Sequence, residues 1–280
     1  MKNFYIIANS SKEEAKKTVE VVERYLRSHG ASCQIEQQNR KDGYLRGAGC
    51  YEAPEDTDCI ITIGGDGTLI QAARGLSYRK IPLVGINRGH LGYLTQVSRD
   101  EDIREMANAL LADQYQIEER MMLDGRIIRT GKEIVKDIAL NEIVLTHRDV
   151  IRVLRFGVYV NGEFLNEYTA DGLIAATPTG STAYNLSAGG PIVAPNACMT
   201  VLTPICSHAL NARSIVLSAE DEICIEVREG SQAAVFDGDM IFELKRGDQV
   251  VITKSDRVTR LIRLKQVSFL ENLSNKLAGI

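Results

Sequence analysis

No two cysteines in this chain of 280 residues are spaced as a metal or redox pair. Cys33, Cys50, Cys59, Cys198, Cys206 and Cys224 are scattered, and no Cys-x-x-Cys occurs. That leaves no signal for a zinc knuckle or a thioredoxin-like centre. Several of the six lie inside apolar stretches, as buried thiols of a reducing cytosol do. A basic excess is missing too. Lys and Arg number 33 against 37 Asp and Glu, a formal net charge of −4, and a general nucleic-acid binder would carry the opposite balance. No apolar run reaches the length of a membrane span. The run at residues 4–8 is too short for the core of a signal peptide. The expectation is a cytoplasmic protein with neither nucleic acid nor membrane as partner. Neither Gly-x-x-x-x-Gly-Lys-Ser/Thr nor Gly-x-Gly-x-x-Gly occurs, so the Walker loop and the ordinary dinucleotide fingerprint are both absent. Internal repeats and low-complexity linkers are lacking as well.

What remains is an ordinary globular composition, 44% hydrophobic and 25% charged, long enough for one large domain or two medium ones. The first part alternates. A short apolar run at 4–8 ends in Asn9-Ser10-Ser11, a helix-start signal. Ala15, Val19, Val22 and Leu26 then share one helical face, and Gly30 ends the pattern. A second apolar run ends near Ile35, and the polar, glycine-bearing segment 37–55 reads as a loop. Buried strands follow at 59–63 and 82–87, with helices at 67–76 and 100–112. Such alternation predicts a doubly wound parallel sheet. Near residue 115 the character changes to successive strands: Val153 to Val160, Leu173 to Ala176, Ile223 to Val227, Ala233 to Phe236, Val250 to Thr253 and Val258 to Leu264. Asn161-Gly162 suits a type I′ hairpin turn. This half reads as β-rich and sandwich-like. The tail returns to helix, with Phe269, Leu270, Leu273 and Leu277 on one face. The domains expected are 1–115 with 265–280, and 116–264.

Gly64-Gly65-Asp66-Gly67-Thr68 is the most informative stretch. It joins the strand at 59–63 to the helix that follows, and glycines there let backbone N–H groups approach an anion at a helix N-terminus. A loop that only holds phosphate has no use for a carboxylate in its middle, because like charges repel. Asp66 makes sense if it takes a proton from a hydroxyl, orients one, or reaches a metal ion. The plain alternative is a tight turn with Asp as helix cap. The loop Asn87-Arg88-Gly89-His90-Leu91-Gly92 follows the next strand and should face the same crevice, since loops at the carboxyl ends of parallel strands line it. Asn141-Glu142 heads another strand. Asn bonds base edges and a carboxylate accepts from ribose hydroxyls, although on its own the pair reads more readily as a strand-edge turn. Arg148 and Arg152 are phosphate partners or surface charges. Thr177-Pro178-Thr179-Gly180-Ser181-Thr182-Ala183-Tyr184-Asn185-Leu186-Ser187 concentrates more small hydroxyl residues than one helix cap needs. Tyr184 there is able to stack on a base or pack on ribose. Asp171-Gly172 stands just before, and Phe236-Asp237-Gly238-Asp239 reads as a hairpin corner.

Taken together, these motifs resemble the NAD kinase family, in particular its bacterial ATP/polyphosphate-NAD kinases. The resemblance rests on Gly64–Thr68, Gly85-Ile86-Asn87 with Gly89-His90-Leu91-Gly92, Asn141-Glu142, and Thr177 through Ser187, and in order it covers most of the chain. It implies an α/β N-terminal domain, a β-rich NAD-binding domain, and a last helix returning to the first. The implied reaction is Mg²⁺-dependent transfer of the ATP γ-phosphoryl group to the 2′-hydroxyl of the adenosine ribose of NAD. Asp66 would be the proton acceptor. The implied NAD contacts are Asp66, Gly67, Asn141, Glu142, Arg152, Asp171, Thr182, Ala183, Tyr184 and Ser187, with Gly64, Gly65, Gly67 and Thr68 forming the phosphate loop. No metal ligand is assigned among the side chains. A homodimer or homotetramer with the NAD site shared between subunits is also implied.

Three positions depart from the family pattern. Gln71 and Thr169 stand where many or some relatives carry a basic side chain, and Asp239 where many carry Gln or Asn. Two other readings account for part of the same motifs. A diacylglycerol- or sphingosine-type lipid kinase would have the first motif but no reason for Asn141-Glu142 or Thr182–Ser187. A non-catalytic nucleotide sensor would have no need of Asp66.

Overall fold

The structure is a computed structural model that describes residues 1–9, 13–36, 51–87, 92–98, 100–148, 153–209, 212–229, 232–264 and 269–277. Its chain divides into two compact units, Met1–Glu119 with Thr259–Ile280, and Arg120–Val258.

The first unit is an α/β unit. β1 (Asn3–Ala8), α1 (Glu13–Ser28), β2 (Ser32–Ile35), β3 (Cys59–Gly64), α2 (Asp66–Gly75), β4 (Leu83–Asn87) and α3 (Asp100–Leu111) follow one another. The four strands pair in parallel in the order β2-β1-β3-β4. Parallel strands covered on both faces read as unbroken apolar runs, and β3 and β4 are buried at every residue. On α1 the buried side chains are Ala15, Thr18, Val22 and Leu26, spaced at one turn, and each fully buried Val or Leu contributes about 1.5–3 kcal/mol. Glu13 and Glu14 in its first turn and Arg27 in its last suit the helix dipole. Gly30, at φ 81°, closes it.

The strand order locates a site. From β1 the chain goes through α1 to β2 on one side, then resumes with β3 and β4 on the other. Such a reversal leaves a crevice beyond the carboxyl ends of the strands. Gly64–Thr68 lies there, beside the end of β1, where the Asn9 amide donates to the Ile63 carbonyl at 2.9 Å.

The remaining strands are β5 (Gln116–Arg129), β6 (Lys132–Ala139), β7 (Glu142–His147), β8 (Leu154–Val160), β9 (Glu163–Ala170), β10 (Gly172–Ala176), β11 (Met199–Ile205), β12 (Ile215–Ser218), β13 (Ile223–Val227), β14 (Gln232–Phe236), β15 (Met240–Leu244) and β16 (Gln249–Arg263). One antiparallel sheet runs β12-β11-β10-β7-β14-β15. In the other, β13 pairs with β16 on one side and β8 on the other, and β8 pairs with β9. Leu145, Leu173, Leu202 and Phe236 of the first sheet share a core with Phe156, Val158, Ile225 and Ile252 of the second. This is a β-rich, sandwich-like unit. Asn161 and Gly162 both have positive φ, 51° and 81°, as a type I′ turn between β8 and β9 requires.

Two readings of the sequence change. Val250–Thr253 and Val258–Leu264 are one strand, β16, because the polar stretch between them stays extended and the Ser255 hydroxyl accepts the Arg257 amide at 3.1 Å. The helix expected after Thr177 is only a 3₁₀ turn, Gly180–Thr182, and one turn of α4 (Tyr184–Ser187). The tail forms the expected helix, α5 (Phe269–Leu277), on which Leu270 is 71% exposed.

Candidate active site

In the first unit the chemistry centres on Asp66. It is the first residue of α2, whose N-cap is Gly65. The Asp66 carboxylate reaches to the segment after β4. Its Oδ2 accepts the amides of Tyr93 at 2.6 Å and Leu94 at 3.3 Å. Its Oδ1 accepts both the amide and the hydroxyl of Thr95, at 3.1 and 3.0 Å. Gly92 lies against the same carboxylate, and a Cβ there would sit 1.8 Å from Oδ1. The segment after β4 therefore does meet the turn after β3. Arg88, Gly89, His90 and Leu91 lie outside the described residues. Gly67 is exposed, Gly65 and Asp66 are half-buried, and Gly64 and Thr68 are buried. Gly64 has no room for a side chain, since a Cβ would meet Thr68 Oγ1 at 2.3 Å.

In the second unit a separate cluster forms around Asn141 and Glu142 at the head of β7. Thr177 ties it to the hydroxyl-rich segment: its amide donates to the Asn141 carbonyl at 2.8 Å and its hydroxyl to the Leu140 carbonyl at 2.6 Å. Gly180 packs so tightly that a Cβ would lie 2.1 Å from the Asn141 carbonyl oxygen. The Asp237 carboxylate accepts the amides of Leu140, Asn141 and Glu142 at 2.8, 2.7 and 3.0 Å. Burial, with Asp237 as the neighbouring charge, pushes the Glu142 carboxyl up to about 8. Two buried acceptors, Asn141 Oδ1 and Glu142 Oε2, have no hydrogen-bond partner among the described residues. An unmet buried polar atom is costly, so hydrogen-bonding groups of a bound molecule would relieve both.

The segment 177–193 is held from within. Asn185 is fully buried. Its Nδ2 donates to the carbonyls of Ser181 and Pro191 at 3.1 and 3.0 Å, and its Oδ1 accepts the Thr203 hydroxyl at 2.7 Å. The Ser181 hydroxyl donates to Pro178 and accepts the Val193 amide. With the frame fixed, Tyr184 is left 44% exposed, Ser187 is exposed, and Thr182 and Ala183 are half-buried. Buried Arg120 donates to the Thr179 hydroxyl at 3.2 Å. Asp171 lies 3.8 Å from His147 Nε2.

Arg152 lies outside the described residues. Gln71 is half-buried on α2, the Thr169 carbonyl accepts the His208 amide at 3.0 Å, and the Asp239 amide closes the β14–β15 turn on Phe236 at 3.1 Å. Sequence reasoning passed over Thr95 and gave no structural role to Asn185 within its motif or to the Asp237 carboxylate. Asp237-Gly238 is the expected hairpin corner, with φ of 49° and 70°, but nothing in that turn announces that its carboxylate caps a strand 95 positions earlier.

A glycine-lined acidic turn at a switch point, together with a β-rich unit offering unmet buried acceptors, defines a nucleotide-handling enzyme of two parts. Models of the ATP-NAD kinase N-terminal and C-terminal domains match residues 4–115 and 140–264. The chain is 44% identical to the NAD kinase of Lachnospira eligens, over 99% of this chain and 100% of that one, and 42% identical to the NAD kinase of Agathobacter rectalis, over 100% and 99%. Its fold is similar to that of an NAD kinase from Archaeoglobus fulgidus solved in complex with ATP, with a TM-score of 0.78 and 25% identity over 99% of both chains. It is also similar to yeast NADH kinase complexed with NADH, with a TM-score of 0.85 and 24% identity over 100% of this chain and 88% of that one. This chain belongs to the NAD kinase family.

Proposed function

We propose that this chain phosphorylates NAD with ATP, and that Asp66 is the proton acceptor. The 2′-oxygen of the adenosine ribose attacks the γ-phosphorus, the bond from that phosphorus to the β,γ-bridging oxygen breaks, ADP leaves, and the hydroxyl proton passes to Asp66. A secondary hydroxyl is a weak nucleophile, and a positioned base contributes roughly 10²–10⁴-fold. Gly64, Gly65, Gly67 and Thr68 line the phosphate path. Asn141 takes a base edge and Glu142 the ribose hydroxyls. Tyr184 packs on the nucleoside, with Asp171, Thr182, Ala183, Ser187 and Arg152 as further NAD contacts in the β-rich NAD-binding domain.

The observation that carries this reading is the pair of buried, unpartnered acceptors, Asn141 Oδ1 and Glu142 Oε2. An amino group can donate to Asn141 Oδ1, and ribose hydroxyls, which both donate and accept, can pair with the Glu142 carboxyl in either protonation state. Among the described residues no three Asp, Glu, His or Cys side chains converge as a metal site. Mg²⁺ would be carried by the phosphates of ATP, where it would spread their charge. Among the described residues no helix is long and apolar enough to cross a membrane, and a cytoplasmic enzyme is proposed. A homodimer or homotetramer would share the NAD site between subunits, and light scattering that showed a monomer at micromolar concentration would count against it.

The test is direct. The protein is incubated with Mg²⁺, ATP and NAD, and NADP is read with an NADP-specific dehydrogenase. Wild type should give signal, and Asp66→Asn should lose roughly two to four orders of magnitude. A silent wild type that still binds NAD would indicate a sensor, and turnover of diacylglycerol or sphingosine instead would indicate a lipid kinase.

A further inference from the structure

The arrangement around Asp66 shows which residue aims it. The carboxylate is gripped by four donors, and two of them, an amide and a hydroxyl, come from Thr95 and converge on Oδ1. A carboxylate offers about four acceptor positions, so this set fixes both its place and its plane. The three amides belong to backbone. The Thr95 hydroxyl is the one side-chain donor among the four. Thr95 is itself immobilised, being only 3% exposed. Its methyl lies over Gly85 of β4, where a Cβ would meet Thr95 Cγ2 at 2.6 Å. Gly85 thus admits the methyl, the β-branched side chain has little rotamer freedom, and the hydroxyl is left directed at Asp66. Gly92 completes the cradle, because any side chain there would displace the carboxylate.

We propose that Thr95 is the positioning residue for Asp66. Its hydroxyl holds the carboxylate in place and, as the one donor of the four able to turn away, yields its Oδ1 lone pair to the proton of the substrate hydroxyl; Gly85 and Gly92 leave room for this contact. The inference rests on the reading of Asp66 as proton acceptor.

Two shape-matched variants separate hydroxyl from methyl. Thr95→Val keeps the packing over Gly85 and loses the donor; Thr95→Ser keeps the donor and loses the methyl. With ATP and NAD as substrates, kcat of Thr95→Val should fall roughly tenfold or more while KM for NAD stays within about twofold, as expected when orientation and not binding is lost. Thr95→Ser should stay within about threefold of wild type. The proposal is overturned if Thr95→Val keeps kcat within about twofold, or if Thr95→Ser is as impaired as Thr95→Val. Should Thr95→Val not fold, Gly92→Ala asks the same question from the other side: its new methyl evicts the carboxylate, so near-wild-type kcat there would equally overturn the proposal. Asp66→Asn, measured alongside, tells the two claims apart. Full activity in that variant removes the proton-acceptor reading itself, whereas loss in Asp66→Asn with no loss in Thr95→Val removes only the role of Thr95.

Discussion

Asp237 and Glu142 are joined by a reciprocal pair of hydrogen bonds. The Asp237 carboxylate accepts the Glu142 amide at 3.0 Å, and the Asp237 amide donates to the Glu142 carbonyl at 3.0 Å. With the amides of Leu140 and Asn141 on the same carboxylate, the start of β7 is moulded around a residue from the β14–β15 turn. Removing this acceptor strands three amides. Asp237→Ala should cost roughly 2–4 kcal/mol of stability, since hydrogen bonds to a charged group are worth about 1.5–3 kcal/mol each and water will replace part of the loss. Urea unfolding at neutral pH measures it, and a cost below about 0.5 kcal/mol would show that the Asp237 contacts are incidental.

Glu142 makes stability depend on pH in a definite sense. Its folded carboxyl titrates near 8 against an ordinary value of 4.5, through burial and the adjacent Asp237 charge. Between those values the folded state holds a proton that the unfolded chain has released, so this group lowers stability as pH rises from about 4.5 to about 8. Glu142→Gln removes the effect. Relative to wild type it should therefore gain stability on going from pH 5 to pH 8, by a few kcal/mol in order of magnitude. Denaturation curves for the two proteins that stay parallel across that range would refute the sign and the cause together.

Gly180 tests the closeness of Asn141 to the hydroxyl-rich segment. A methyl at position 180 would lie 2.1 Å from the Asn141 carbonyl oxygen, and backbone cannot yield as a side-chain tip can. Gly180→Ala should destabilise by roughly 1–3 kcal/mol, in the range of overpacking, and raise KM for NAD. Unchanged thermal unfolding and unchanged KM would mean that the segment is free to move away from β7.

Asn185 is the internal brace of that segment, with two carbonyls and one hydroxyl satisfied by one buried amide. Gly190 makes room for it, since a Cβ there would approach Asn185 Oδ1 to 2.1 Å. Asn185→Ala leaves the carbonyls of Ser181 and Pro191 without this donor, while the Thr203 hydroxyl keeps Ser214 Oγ at 2.8 Å, at a cost of about 1–3 kcal/mol per group left unsatisfied. Calorimetry should show a clear fall in Tm, and KM for NAD should rise more than kcat falls, because Tyr184 and Ser187 lose their frame. An unchanged Tm would mean that water replaces the brace.

Contiguous features are legible in the amino-acid order itself. The alternation of apolar runs and amphipathic helices predicts the parallel sheet, and Asn161-Gly162 predicts its hairpin, because both signals lie within a few residues. Where local signals conflict, tertiary pairing prevails. The polar residues Lys254–Arg257 look like a break, yet β16 runs through them, since a strand held by neighbours on either side of a polar stretch need not end there. The hydroxyl cluster after Thr177 looks like a helix start, but its donors are spent within the segment and on the Leu140 and Asn141 carbonyls just before β7.

The same division holds for the chemistry. Asp66 can be singled out from sequence because a carboxylate in a glycine-rich strand-to-helix turn contradicts simple phosphate binding, and that contradiction is contained in five consecutive residues. Which atoms hold Asp66 cannot be read there. Tyr93, Leu94 and Thr95 contribute chiefly backbone amides, which every residue but proline possesses, and they stand 27 to 29 positions away. The identity of a reacting group is written in its side chain. Its aim depends on backbone donors that only the pairing of β3 with β4 brings within 3.3 Å.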